Sequence, residues 1–380
     1  MMTTTDGDVA ALADALSAIL RGESVAWPAI GRSSADFIAA CLAEDLIVLV
    51  HERVALWPDC DWSPSVRYEL VARAHAAVAE ELRRQHELRA VLDALARAEV
   101  RPILLKGTPL AYSVYPSPAQ RPRLDTDLLV RQQDVDAVRR VMARIGYTAP
   151  VACDGELLFR QFELTREDEF GVQHVFDFHW KISNQSGFAD VLTYDELSVN
   201  AAAVPALGPH ARAAGIPHAL LLACIHPVMH HGNLERLIWT YDIHLLASRL
   251  SSDDLERFTN LAVVKGIGPI CARQLAIARS RFGTRLPDHT TSRLLSTGRR
   301  ALTDYLRPGR RWHHEFLSNL RGLTSWRDRV RLAREVLFPG PLYMLSSYRI
   351  TNRVQGFALL PVLYFHRNLH GLWRVLVGRR

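Results

Sequence analysis

Lysine is almost missing from this chain. Of its 46 basic residues only Lys106, Lys181 and Lys265 are lysines; the rest are arginines. A formal charge of +6 points at first to nucleic acid. The arginine excess, set beside abundant alanine and leucine, reads instead as the coding bias of a GC-rich genome, so basicity alone selects no partner. The same bias singles out the three lysines that survive it. Cysteine is scarce and unpatterned: the five, Cys41, Cys60, Cys153, Cys224 and Cys271, are widely spaced and form no CxxC pair. That argues against a disulfide framework and a zinc knuckle and fits a reducing compartment. No apolar run reaches the roughly 18 residues needed to span a bilayer. Residues 1–6 lack the basic n-region of a signal peptide. The expectation is a soluble, cytoplasmic protein, with room in 380 residues for two or three domains.

Helical patterns occupy residues 7 to about 55, broken at Gly22, Pro28 and Gly31, and Ser33 to Asp36 reads as a helix start before Phe37. Trp57-Pro58-Asp59 and Trp62-Ser63-Pro64 punctuate the chain. The spacing of Leu70, Val71, Ala74, Val78, Leu82, Leu88, Val91, Leu92 and Leu95 then predicts one long helix over 66–97. Beyond it the pattern changes. Residues 100–105 and 124–130 read as buried strands, 110–115 as a short helix or turn, and 133–145 as an amphipathic helix closed by Gly146. Residues 157–164 and 173–182 read as further strands. From about His218 the pattern is helical again, over 219–229, 234–250, 253–264 and 268–282. The fold class is α+β: a helical N-terminal domain (1–96), a small mixed β-sheet module (97–200), a helical C-terminal domain (201–340) and a basic amphipathic tail (341–380).

The chemistry concentrates between residues 103 and 130. Lys106-Gly107-Thr108 closes the first strand, and Asp125 and Asp127 stand one residue apart in the second. Alternate side chains of a strand share a face, so the two carboxylates project together. Their mutual repulsion calls for a cation between them. Oxygen ligands with room left for phosphates suit a hard divalent ion, Mg²⁺ or Mn²⁺. Gly107 lets the backbone approach a phosphate, and Thr108 offers a hydroxyl and an N–H at a helix start. Lys106, Arg121 and Arg123 supply charge against a triphosphate. In this reading Asp125 and Asp127 hold two divalent ions. Asp177 completes the second metal site or accepts the proton of an incoming hydroxyl. Glu163 or Glu169 takes its place if the strand register differs. His179 shares the face of Asp177 and reads equally as a nucleotide contact or as packing.

A glycine and a small residue after a strand, then D-x-D, then a distant carboxylate resemble the polymerase-beta-type nucleotidyltransferase superfamily. More narrowly, Leu105-Lys106-Gly107, Tyr115-Pro116, Arg121 and Asp125 to Val130 resemble the poorly characterised bacterial NTP-transferase type 5 family. Asp177-Phe178-His179-Trp180, His226, His230 and Trp239-Thr240-Tyr241-Asp242 continue that pattern. The resemblance covers roughly residues 37–282. It implies that the 97–200 module is catalytic and moves an NMP group from an NTP, ATP included, to a hydroxyl acceptor. The acceptor and the oligomeric state are not legible. The gap from Thr108 to Asp125 is longer than in most of the superfamily.

Three further signals stand apart. His226 and His230, four apart on a helix, suit a metal face or a histidine-lined interface. The turn Lys265-Gly266-Ile267-Gly268-Pro269 imitates a helix-hairpin-helix, whose N–H groups bind a DNA phosphate, but equally fits an ordinary helix-to-helix turn. It supports an alternative function, a catalytically idle fold serving as a DNA- or partner-binding module. The apolar stretch 354–365, flanked by arginines, either packs on the helical domain or lies on an anionic membrane surface.

Overall fold

The computed structural model describes residues 6–27, 33–57, 60–150, 159–296, 298, 300–306, 312–323, 325–350 and 352–377. The expected breaks at Pro28, Gly31 and Pro58-Asp59, Cys153, and the start of the expected strand at 157–158 lie outside them. Before the sheet come α1 (Asp6–Leu20), α2 (Ser34–Ala43), α3 (Ile47–Ala55) and α4 (Pro64–Arg97). Ser33 caps α2, its side chain accepting from the Asp36 N–H, as its sequence position suggested. The long helix α4 opens on Pro64, where a missing N–H leaves no bond unmade.

The sheet is built from β1 (Ile103–Leu104), β2 (Thr126–Leu129), β3 (Gln161–Glu167), β4 (Gln173–His179), β5 (Ala201–Ala203) and β6 (Arg212–Ala214). Between them lie α5 (Gly107–Ser113), α6 (Val135–Arg144) and α7 (Tyr194–Val199). Gly146, at φ +89°, ends the α6 turn where a glycine was expected to do so. Spatial order is β3-β4-β2-β1-β6-β5. β2 runs antiparallel to β1 and parallel to β4, while β1 and β6 are parallel. The first two strands are shorter than the apolar runs that announced them. The β5–β6 hairpin has no sequence signature, because five of its six residues are alanine and none is β-branched or aromatic.

After the sheet follow α8 (Ile216–His230), α9 (Leu237–Ala247), α10 (Ser252–Val264), α11 (Gly268–Phe282), α12 (Asp288–Leu295), α13 (Arg300–Thr303), α14 (Trp312–Gly322), α15 (Trp326–Leu337), α16 (Pro341–Ser347) and α17 (Arg353–Val377).

Each face of the sheet has its own core. Leu104, Leu128, Phe176 and Phe178 pack on Leu88, Val91 and Leu92 of α4 and Val138 and Met142 of α6. Ile103, Leu105 and Leu129 face the other way. They join a core to which both the N-terminal helices (Phe37, Ile47) and the C-terminal helices (Leu221, Ile243, Phe258) contribute. Each such side chain is worth roughly 1.5–3 kcal/mol when fully buried.

Three buried ionic clamps of one design fix the sheet between its helices, each a carboxylate held by one tyrosine and one arginine. On α4, Glu81 accepts from the Tyr112 hydroxyl and from Arg123 Nη1 at 2.5 Å. Six residues on, Glu87 accepts from the Tyr147 hydroxyl and from Arg166 Nη2, both at 2.5 Å. On α9, Asp242 accepts from the Tyr115 hydroxyl at 2.7 Å and from Arg121 Nε at 2.9 Å. The last clamp ties the segment that follows α5 to α9, far along the chain, with the Arg121 guanidinium against Gly107.

Candidate active site

Lys106, two residues past β1, caps α5 in an unusual conformation, φ +56° and ψ −133°. Side chains other than glycine's rarely occupy this region, at a cost of about 1–3 kcal/mol. The turn sends the chain into α5 and brings Lys106 Nζ to 2.5 Å from Asp127 Oδ1. Next to it, a Cβ on Gly107 would stand 3.0 Å from the Arg121 guanidinium carbon. A larger residue would push on the Asp242 clamp, so this glycine serves a close approach within the protein.

Asp127 and Asp177 are direct neighbours in the register of the parallel β2–β4 pair, and Leu129 is opposite His179. The period of two puts Asp177 and His179 on one face. His179 Nε2 lies 2.8 Å from Asp127 Oδ1 and 3.1 Å from Asp177 Oδ2. Gln161 Nε2, from β3, donates to Asp177 Oδ2 at 2.7 Å. All three of these acidic and imidazole groups are buried, and Asp177 Oδ1 and His179 Nδ1 have no protein partner. One potential ligand atom from each of Asp127, Asp177 and His179 lies within 4.8 Å of the others.

The charges interlock. Burial pulls the His179 imidazole down, but Asp177 and Asp127 outweigh it and hold its pKa at about 9. Burial opposes the Asp127 carboxylate, yet Lys106 and His179 keep it ionised far below the usual carboxylate range. Burial likewise disfavours charged Lys106, and Asp127 and its acidic neighbours reverse the shift upward. Asp125 precedes β2 and is solvent-exposed at the rim of this group. Desolvation on its protein side, then repulsion from Asp127, raises it to about 6. Two buried carboxylates are thus balanced by two cations, the Lys106 ammonium on Asp127 and the His179 imidazolium between Asp127 and Asp177.

Several other sequence candidates take definite places. Thr108 is buried within the first turn of α5. Both Arg121 and Arg123 sit in the buried clamps, so Lys106 is the basic side chain that reaches the carboxylates. Glu163 faces solvent opposite Asp177 on β3, and Glu169 lies exposed in the following turn. Asp177 is therefore the carboxylate beside Asp127. Gln161, Glu81, Glu87 and the pairing of Asp242 with Arg121 carried no local sequence signal. Asp242 stands out in the sequence only as part of the W-x-x-D element.

The rings of His226 and His231 pack on Trp239, and His230 lies beside both histidines. The ring centroids of His226 and His231 lie 5.1 and 4.4 Å from that of Trp239. Burial, then the nearby Lys106 charge, keeps His226 neutral and drives His230 down to about 3. His230 Nε2 meets the Ile182 carbonyl at 3.2 Å. Between this patch, the Lys106–Gly107 turn and the alanines of β6 opens a mostly apolar cavity of about 120 Å³, whose lining includes Leu105, Ala214, Ala223, His226 and Trp239. At the 265–269 turn, Gly266 (φ +70°) ends α10 and Lys265 Nζ lies 2.7 Å from Glu196 Oε2. A Cβ on Gly268 would stand 2.1 Å from the Leu294 carbonyl oxygen, so the turn is packed against α12.

The comparison with protein families matches residues 32–283 to a model described as an uncharacterised nucleotidyltransferase. No curated protein matches the chain.

Proposed function

The chain belongs to that uncharacterised nucleotidyltransferase family, and on this premise we propose that it moves an NMP group from an NTP to a hydroxyl of an acceptor, releasing pyrophosphate. One observation carries the reading: the register of β2 and β4 sets Asp127 and Asp177 side by side under two protein cations. The same carboxylates fit a divalent ion. Asp177 Oδ1 is buried without a partner, and a donor set dominated by oxygen suits Mg²⁺ or Mn²⁺ better than a softer metal. Asp127 and Asp177 would hold the ion, with Asp125 completing the set from the solvent side. Such an ion neutralises phosphate charge and favours the ionised acceptor hydroxyl.

The chain's own residues supply the rest. Lys106 puts a fixed positive charge beside the carboxylates, where the triphosphate's negative charge must be met. Asp177 Oδ1 fills one of two roles, ligand of that ion or acceptor of the attacking hydroxyl's proton. His179, locked between the two carboxylates, keeps their positions in the resting protein. The contribution is mainly positioning and charge neutralisation, as expected for phosphoryl-group chemistry. The acceptor is a small molecule, a peptide or protein side chain, or an RNA end. The apolar cavity beside His226 and Trp239 adjoins the site and suits the non-reacting part of a substrate.

The test is calorimetric titration with each NTP, with and without Mg²⁺. The parent should bind in a Mg²⁺-dependent way, and Asp125→Asn with Asp127→Asn should abolish binding. Asp125→Asn alone, at an exposed position, should weaken binding at least about tenfold with no loss of thermal stability. Parent-like, Mg²⁺-dependent binding by a folded double variant would falsify the proposal.

A further inference from the structure

The last helix of the chain is amphipathic in the wrong sense for packing on its own protein. α17 turns its polar residues inward. Tyr364 donates to the Pro339 carbonyl at 2.6 Å, Arg367 to Val336 at 2.9 Å and Asn368 to Leu337 at 3.1 Å. Gly356 lies against Leu345 and Ile350, close enough that a Cβ would meet Leu345 at 2.6 Å. The opposite side carries Val354, Val362, Phe365, Leu369 and Trp373, all exposed, with Val362 and Phe365 at 62% and 69%. Their spacing of three, four or a multiple makes one continuous stripe along a helix about 37 Å long. Among the described residues neither core draws a side chain from beyond Leu306.

What meets that stripe is indicated by charge. From Val336 to the last residue the sequence contains no aspartate or glutamate, but six arginines, Arg349, Arg353, Arg367, Arg374, Arg379 and Arg380. A second copy of this segment would bring like charge against like charge. A surface of anionic phospholipid offers both the apolar layer and the countercharge. Phe and Trp on the apolar side are the residues such an interface favours. No described helix is long and apolar enough to cross a membrane, and Pro361, Arg367 and Asn368 interrupt this one.

We propose that α17 is a membrane-surface helix, which lies along an anionic bilayer with the Val362–Phe365–Leu369 side in the acyl boundary. The catalytic module would thereby be held at a lipid surface, independently of which acceptor it serves.

The full-length protein is sedimented with vesicles of phosphatidylcholine alone and of phosphatidylcholine with phosphatidylglycerol. The parent should pellet with the anionic vesicles and be released by high salt. Val362→Glu with Phe365→Glu and Leu369→Glu, all at exposed positions, should lower its partitioning by about tenfold or more with an unchanged circular dichroism spectrum. Three outcomes would overturn the proposal: no pelleting of the parent, equal pelleting of the triple variant, or equal binding to both vesicle types. Concentration-dependent dimerisation that the triple variant abolishes, without vesicle binding, would assign the stripe to a second copy.

Discussion

Two kinds of buried ionic group stand within this protein, and their difference separates support from chemistry. In the clamps, every oxygen of Glu81, Glu87 and Asp242 is met by a tyrosine hydroxyl or an arginine. The atoms left over there, Arg123 Nε and Nη2 and Arg166 Nε, are N–H donors, which a metal ion cannot use. In the Lys106–Asp127–His179–Asp177 group the leftover includes an acceptor, Asp177 Oδ1. Its backbone is strained at Lys106, and its carboxylates are adjacent to one another rather than to arginines. Arginine suits the first task because its planar fork is always charged and fixes geometry; lysine suits the second because a point charge can shift with the ligand.

The sharpest way to break the comparison is to empty a clamp. Asp242→Ala leaves Arg121 and Tyr115 buried without their carboxylate, and loss of one member of a buried pair costs about 3–5 kcal/mol. Urea denaturation should show a destabilisation of that size. Replacing Glu81 and Arg123 together by Leu and Met should cost far less than either change alone, since no uncompensated charge is left. A double variant as unstable as the sum of the singles would show that the clamp is not an isolated pair.

The active-site group should answer to pH above neutrality through His179. In the metal-free protein His179 is held at about 9 against an ordinary 6.5. Its raised pKa contributes stability that is complete below pH 6.5 and is lost as pH rises through 9. A shift of this size corresponds to at most about 3 kcal/mol. Thermal melts of the metal-free parent should therefore fall over that window, and His179→Gln should flatten the slope. An equally steep slope in the variant would place the titration elsewhere.

Much of the fold and of this group was legible, for reasons that also explain the misses. Helix α4 announces itself because its apolar positions roughly follow the helical period over many residues, and α8 and α9 because their apolar runs are too long for a strand. Leu105 and Val130 read as strand because both are buried and their N–H groups still bond across, to the Asp127 and His179 carbonyls, while β5 and β6 escape such a reading because alanine carries no strand preference. Asp125 and Asp127 form a compact pattern, and Asp177 stands in an alternating apolar stretch that reads as a strand. The clamps could not be read this way: 121 residues separate Arg121 from Asp242, and only packing brings them together.

Lys265 gives the finest version of the contrast, with the smallest expected effect. Like Lys106 it faces a carboxylate, Glu196 at 2.7 Å, but both partners are about a fifth exposed. Solvent screens such a pair, and its worth is about 0–1 kcal/mol. Lys265→Ala should leave the melting curve almost unchanged and leave NTP binding intact, whereas Lys106→Ala should weaken NTP binding. The same variant tests the hairpin reading of residues 261–272. Gly266 there is needed for its positive φ and Gly268 for its approach to Leu294, two demands of helix packing that explain the glycines without a phosphate. Electrophoretic mobility shifts at low salt should show no DNA binding that depends on Lys265; a salt-sensitive complex lost in Lys265→Ala would give this second lysine a ligand as well.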